Sequence, residues 1–451
     1  MSIKLKTLWV FFSAMLASSA AMAVDLVGVH DLALKSDPRL QAAEYRRQAT
    51  AENKTQAWAN MLPQLGAGAS WLKGSTETSF GAPELDDVSR NKDTRSYDIN
   101  LQQSLYRQAN YEQLDVARGQ ITQADAIYEI AFQDFLLRVS QGYFLVLTLI
   151  DGVTFAEAEE KALQRQFEQA EQRFEVGLTA VTDVHVASAS YDNARARAIV
   201  ARNDLADAKD ALNELTGKYF EEYDALQEVL PLVEPDPPNA EEWVQKALSN
   251  NPAVLSSRAA VEIADSNMRL ARSGHFPTLD LVAGYTDFRD NKRQFTTNLG
   301  QPIGTTTMDA DDTVIQLLFN VPIYQGGRVS SQTRQARLLM DATGQDLDDV
   351  QRAAVREAQN SFRAVLAGIQ EVQAFEQAEI SAESALEATQ AGFEVGTRTI
   401  VDVLIAEQRR FQAQRDNSVA RHAYIVRHLR LKSVAGMLSS EDLRVINQLL
   451  E

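Results

Sequence analysis

The chain has 451 residues, no cysteine and a formal net charge of −18. Without cysteine there is no disulfide, no thiolate metal site, no nucleophilic thiol and no lipid-bearing N-terminal Cys. The acidic balance excludes nucleic acid as a partner, because phosphate binding needs clustered Lys and Arg.

Residues 1–23 read as a signal peptide. Lys4 and Lys6 supply the positive region, Leu8 to Leu16 the apolar core, and Ala21-Met22-Ala23 an A-x-A cleavage site, so the mature chain is expected to begin at Val24. An uncleaved membrane anchor would need roughly 20 apolar residues, and this core is far shorter. Past the signal no segment reads as a membrane-spanning helix; the densest apolar run, Tyr143 to Ile150, is too short. A chain of this kind enters a membrane only as β-strands.

Two strands are expected next, at about 64–76 and 95–106. In the first, Leu65, Ala67, Ala69 and Trp71 alternate with Gln64, Gly66, Gly68 and Ser70; in the second, Tyr97, Ile99, Leu101, Gln103 and Leu105 alternate with polar residues. Period-two alternation over about ten residues fits a transmembrane barrel strand, although a periplasmic sandwich shows the same rhythm. The hydrophilic stretch Glu77 to Arg95 would join them as a loop. A long helix follows from about Ala109 to Phe174, with Leu136, Val139, Tyr143, Val146, Ile150 and Val153 stepping by three and four. That is a coiled-coil seam, and one helix of this length would be about 100 Å long. Gly177 reads as a turn former. Pro231, Pro235, Pro237 and Pro238 mark a linker at 231–239.

The second half repeats the first. Ala33-Leu34-Lys35-Ser36-Asp37-Pro38 answers to Ala247-Leu248-Ser249-Asn250-Asn251-Pro252, and Phe174-Glu175-Val176-Gly177 recurs unchanged as Phe393-Glu394-Val395-Gly396. Strands are expected again at about 278–290 and 312–324, joined by a loop from Asn291 to Asp311. A second heptad helix runs from about Arg328 to Phe393, with Val355, Ala358, Phe362, Val365, Ile369 and Val372 on its seam and Gly396 at its turn. The chain therefore divides into repeats at 24–230 and 240–451, mostly α with a β portion. Four strands cannot close a membrane barrel, whose smallest bacterial form has eight, so copies of the chain must pool them. Three copies would give twelve strands, but the number three does not follow from this sequence.

Enzyme chemistry has no foothold. The five histidines, His30, His185, His275, His422 and His428, lack any metal-ligand spacing. Gly66-Ala67-Gly68 lacks the third glycine and following helix of a nucleotide fingerprint. No Walker motif, metal site or cofactor site is present. The paired carboxylates of a hydrolase would lack a nucleophile or base beside them. A pore-less periplasmic adaptor is the other competing reading; it would show one helical hairpin between small β-domains and no full-length duplication.

Three segments, Pro322-Ile323-Tyr324-Gln325-Gly326-Gly327, Gly274 to Leu281 and Val395 to Leu404, resemble the TolC family of outer-membrane channels. The resemblance covers essentially the whole mature chain. It implies a homotrimer with a twelve-stranded barrel in the outer-membrane lipid and a periplasmic α-helical tunnel closed at its lower end. It also implies a role as a passive, gated exit duct for drug efflux or one-step (type I) protein secretion, with a periplasmic adaptor and an inner-membrane transporter as partners. Carried over from the family, Thr182 and Asp183 would face Arg398 from the neighbouring helix pair, and Asp402 would form a carboxylate ring at the axis. The family pattern has Tyr where this chain has Phe393, and a second Asp where it has Ile405, so one acidic ring would be backed by an apolar one. Three Asp402 carboxylates at a narrow neck would favour the neutral form and attract divalent cations. On residues alone, Thr399-Ile400-Val401-Asp402 also fits a capping box, in which Asp402 only satisfies backbone donors.

Overall fold

The computed structural model describes residues 23–78, 88–296 and 302–451; the signal peptide expected up to residue 23 lies outside them but for its last residue. In chain order the elements are α1 (Leu26–Ser36), α2 (Pro38–Ala59), β1 (Gln64–Thr78), β2 (Val88–Arg107), α3 (Gln108–Glu175), α4 (Val181–Thr216), α5 (Ala240–Asn250), α6 (Pro252–Arg272), β3 (Thr278–Thr296), β4 (Pro302–Asn320), α7 (Arg328–Glu394), α8 (Ile400–Val434) and α9 (Ser440–Asn447). Several helix starts carry capping side chains. Asp25 accepts from the Gly28 N–H at 2.7 Å, and Asn251 caps α6 with Pro252 in its first turn. The chain folds as two compact units, one gathering residues up to 41, 131–247 and 356–451, the other 42–130 and 248–355.

The second of these units holds the sheet, an antiparallel array in the order β1-β2-β3-β4. The register pairs Leu65 with Leu101, Leu101 with Ala283 and Ala283 with Ile315. Because paired residues share a face, these four lie in one apolar row, with Ala67, Ile99 and Tyr285 in the next. Polar partners occupy the opposite face, for example Gln64, Gln102 and Gln316. The apolar face has no cover among the described residues: Leu65 is 72 % exposed, Ile315 75 % and Phe319 69 %. Aromatic residues rim it, Trp71, Tyr97 and Tyr285 toward one end, Tyr106 and Phe319 toward the other.

Three features of the sheet depart from the sequence reading. β2 and β4 begin at Val88 and Pro302, inside stretches read as loops; the ladder is made by backbone groups and continues where side-chain alternation has stopped. β4 ends at Asn320 rather than near 324, because Pro322 has no N–H to donate and Gly326 and Gly327, at φ 61° and 79°, turn the chain into α7. At the far end of β2 a bulge falls between Ser104 and Tyr106. Tyr106, not Leu105, therefore stands opposite Leu279, the extra residue having reversed the alternation.

In the other unit the heptad seam is the core. Leu136, Val139, Tyr143 and Val146 are fully buried on α3, and Ala358, Phe362, Val365 and Val372 are buried on α7. Contrary to the sequence reading, α3 does contain a stretch long and apolar enough to cross a membrane by length and composition. Its seam residues Leu136, Val139, Tyr143 and Val146 face the chain's own core, although less than half of that stretch is buried. The buried Tyr143 hydroxyl donates to the carbonyls of Val24 (3.2 Å) and Asp224 (2.9 Å), fixing α3 against both flanking segments. Glu159, 1 % exposed, accepts from Arg197 of α4 at 2.5 Å and Arg415 of α8 at 3.0 Å. A buried carboxylate is tolerated only with such partners.

Candidate gate at the helical hairpins

The unit that contains Tyr143 also carries two helical hairpins, α3–α4 and α7–α8, and the duplication makes their turns alike. The N–H of Leu178 donates to the Arg173 carbonyl at 2.8 Å, and that of Thr397 to the Gly392 carbonyl at 2.8 Å. Gly177 and Gly396 take φ of 79° and 78°, a left-handed conformation that side chains disfavour. A Cβ on either glycine would meet open space, so backbone geometry alone sets the requirement.

Past the turns the hairpins diverge. α8 opens on a capping box: the Thr399 hydroxyl accepts from the Asp402 N–H at 3.3 Å, and Asp402 Oδ2 accepts from the Thr399 N–H at 2.9 Å and hydroxyl at 2.8 Å. These donors, the backbone N–H foremost, hold the Asp402 carboxyl below its usual range. That is opposite to the shift expected of three facing carboxylates, since a single protomer holds only one. α4 begins without a side-chain cap at Ala180, and Asp183 Oδ2 instead accepts from the Thr179 hydroxyl at 2.5 Å. Thr182 is exposed. Ile400, Val403 and Leu404 are buried while Ile405 is exposed, so Ile405 points away from the protomer's core.

Arg398 and Asp183 form no ion pair within the protomer. The stem of Arg398 lies across Gly392, where an added Cβ would stand 2.8 Å from Arg398 Cγ. Phe393 is half-buried against a cluster that includes Leu163, Ala170, Ile400 and Leu404. Over its ring, at 4.7 Å from the centroid, sits the Arg173 guanidinium. Sequence reasoning missed this contact; its one signal was that the repeat aligns Arg173 with Gly392. It also missed Glu407, buried on α8, whose carboxyl burial pushes up and whose Oε2 has no hydrogen-bond partner among the described residues.

The family model described as "Outer membrane efflux protein" matches residues 29–218 and 243–437. The chain belongs to the outer membrane efflux protein family. It is 36% identical to outer membrane protein TolC of Vibrio cholerae over 98% of each chain. To alkaline protease secretion protein AprF of Pseudomonas aeruginosa it is 29% identical, over 97% of this chain and 90% of that one. The fold superposes on the CmeC outer membrane channel of Campylobacter jejuni with a TM-score of 0.75, at 18% identity over 94% and 90% of the two chains. The efflux family is one of outer-membrane channels and not of enzymes, which accounts for strands with an exposed apolar face in a chain that is otherwise helical. The hairpin turns are then candidate points of closure for a conduit.

Proposed function

We propose that this channel works as a homotrimer, in which three four-stranded sheets close a twelve-stranded barrel and the long helices form a periplasmic tunnel gated at the hairpin turns. The observation that carries the reading is the sheet itself. β1 and β4 each pair on one side only among the described residues, and their shared apolar face is uncovered. Unpaired strand edges are not tolerated in lipid, so each β1 edge requires a β4 edge from another copy. Mature repeats at 24–230 and 240–451, joined through 231–239 after removal of the signal peptide, are part of the same proposal.

At the gate, Arg398 reaches Thr182 and Asp183 of a neighbouring helix pair, while Asp402 and Ile405 form successive rings at the axis. The exposure of Arg398 and Ile405 supports this. Energy and cargo come from elsewhere: a periplasmic adaptor and an inner-membrane transporter recruit the duct for efflux or type I secretion, a reading supported by likeness to outer membrane protein TolC and to an alkaline protease secretion protein. Native mass measurement in detergent tests the assembly, and a monomer or dimer that conducts ions would refute it. In planar bilayers Arg398→Ser is expected to raise resting conductance, and Asp402→Ala to weaken block by divalent cations with the trimer intact. Unchanged block together with a lower thermal midpoint would make Asp402 a helix cap and nothing more.

A further inference from the structure

We infer that Arg173 is a gate-setting residue, holding the α7 tip onto α3 of its own protomer through the face of the Phe393 ring. The repeat supplies the comparison. Arg173 and Gly392 occupy equivalent positions, and each gives its carbonyl to the N–H five residues on, so the turn closes in the same way at the two sites, although the Gly392 carbonyl also accepts from the Arg398 N–H at 3.2 Å. The larger difference is the side chain. At Gly392 its absence lets the Arg398 stem lie on the helix end, which leaves the Arg398 charge free to leave the protomer. At the equivalent place in the first repeat, the Arg173 side chain crosses to the other hairpin and puts its guanidinium 4.7 Å from the Phe393 centroid. That is well inside the reach of a cation–π contact. Arg173 has no carboxylate partner among the described residues, so the ring is what its charge meets. Phe393 is at the same time packed against an apolar cluster to which α3 contributes Leu163 and Ala170 and α8 contributes Ile400. One ring thus joins the end of α7 to α3, through the apolar cluster and through the Arg173 guanidinium over its face. Two arginines divide the work: Arg173 ties the hairpins within a protomer, and Arg398 ties protomers together.

This rests on the gate reading above, and the experiment separates the two. Single-channel recordings would compare the wild type with Arg173→Gln, Phe393→Leu, the double variant, Arg173→Lys and Arg398→Ser, each first checked for trimer mass and thermal midpoint. A cation–π contact at a half-exposed site corresponds to about a two- to five-fold change in the closed-to-open ratio per protomer, and about tenfold or more for three acting together. Arg173→Gln and Phe393→Leu are each expected to raise opening by that amount. The double variant should open no more than either single one, and Arg173→Lys, which keeps the cation, should restore most of the closure. Additive effects in the double variant, or silence of Arg173→Gln while Arg398→Ser opens the channel, would overturn the inference and leave the gate standing. Silence of both arginine variants would overturn the gate reading along with it.

Discussion

Acid should loosen the helical unit through His422. This side chain is buried on α8, with Thr148 Oγ1 3.0 Å from its Nδ1 and the Phe144 ring 6.0 Å away. Burial pushes its imidazole down to about 4; the Asp151 carboxylate opposes the shift and Arg421 adds to it. The unfolded chain takes up a proton as pH falls through about 6.5, while the folded chain stays neutral until about pH 4. The contribution to stability is therefore complete above pH 6.5 and is lost as pH falls from there toward 4. At pH 5 the unfolded state gains about 2 kcal/mol from protonation and the folded state almost nothing, so each protomer loses ~2 kcal/mol relative to pH 8. Denaturant midpoints in detergent at pH 8 and pH 5 measure this for the wild type and His422→Gln. The substitution changes stability at both pH values, so the difference between them is the quantity that counts. The wild type should lose about 2 kcal/mol more than the variant between the two pH values. Equal losses in both proteins would refute the reasoning. His428 is also shifted down by burial and remains in both, so its contribution cancels.

Replacing Glu159 by Gln leaves Arg197 and Arg415 without their shared carboxylate; because Arg197 is 45 % exposed and can rehydrate, the cost should be about 3 kcal/mol per protomer, at the low end for a broken buried pair, read as a lower denaturant midpoint. Gly396→Ala forces a side chain into φ 78° and should cost roughly 1–2 kcal/mol, with Gly392→Ala as a comparison that leaves φ untouched but displaces Arg398. On the exposed apolar face of the sheet, Ile315→Lys is expected to cost about 2–4 kcal/mol if that position sits mid-bilayer; unimpaired recovery of trimer from the outer membrane would place it elsewhere.

The elements that could be read from sequence were those whose signal is periodic or punctuated. The heptad seam from Leu136 to Val146 needs only spacing to be seen, and it is buried as spacing requires. The capping box at Thr399 and Asp402 was visible because its two residues are three apart. The bulge before Tyr106 was not visible, since one inserted residue leaves the composition of the strand unchanged. Nor could spacing show that Val88 and Pro302 open strands, where the sequence alternates no longer and only backbone pairing continues. At the hairpins, Phe393 could be read only as a lost hydroxyl. The group that lies over its ring, the Arg173 guanidinium, comes from a residue more than 200 positions earlier in the chain. Glu159 was hidden for the same reason, its two partners lying on α4 and α8.

The way the two units share the chain bears on how the protein is made. One unit needs segments up to 41, 131–247 and 356–451, and the other needs 42–130 and 248–355. β2 finds its partner β3 only after both hairpin helices of the first repeat have intervened. Neither unit can close on a ribosome or a translocon until part of the second repeat has been made, through residue 355 for one and 451 for the other. Contacts this distant in sequence form slowly, and meanwhile the β3-facing edge of β2, from Tyr97 to Leu101, stands open to pairing with any other chain. The nascent protein therefore depends on being held unfolded and apart until its last hundred residues arrive, and its yield should respond to the supply of chaperones that do the holding more steeply than that of a protein whose domains close in order.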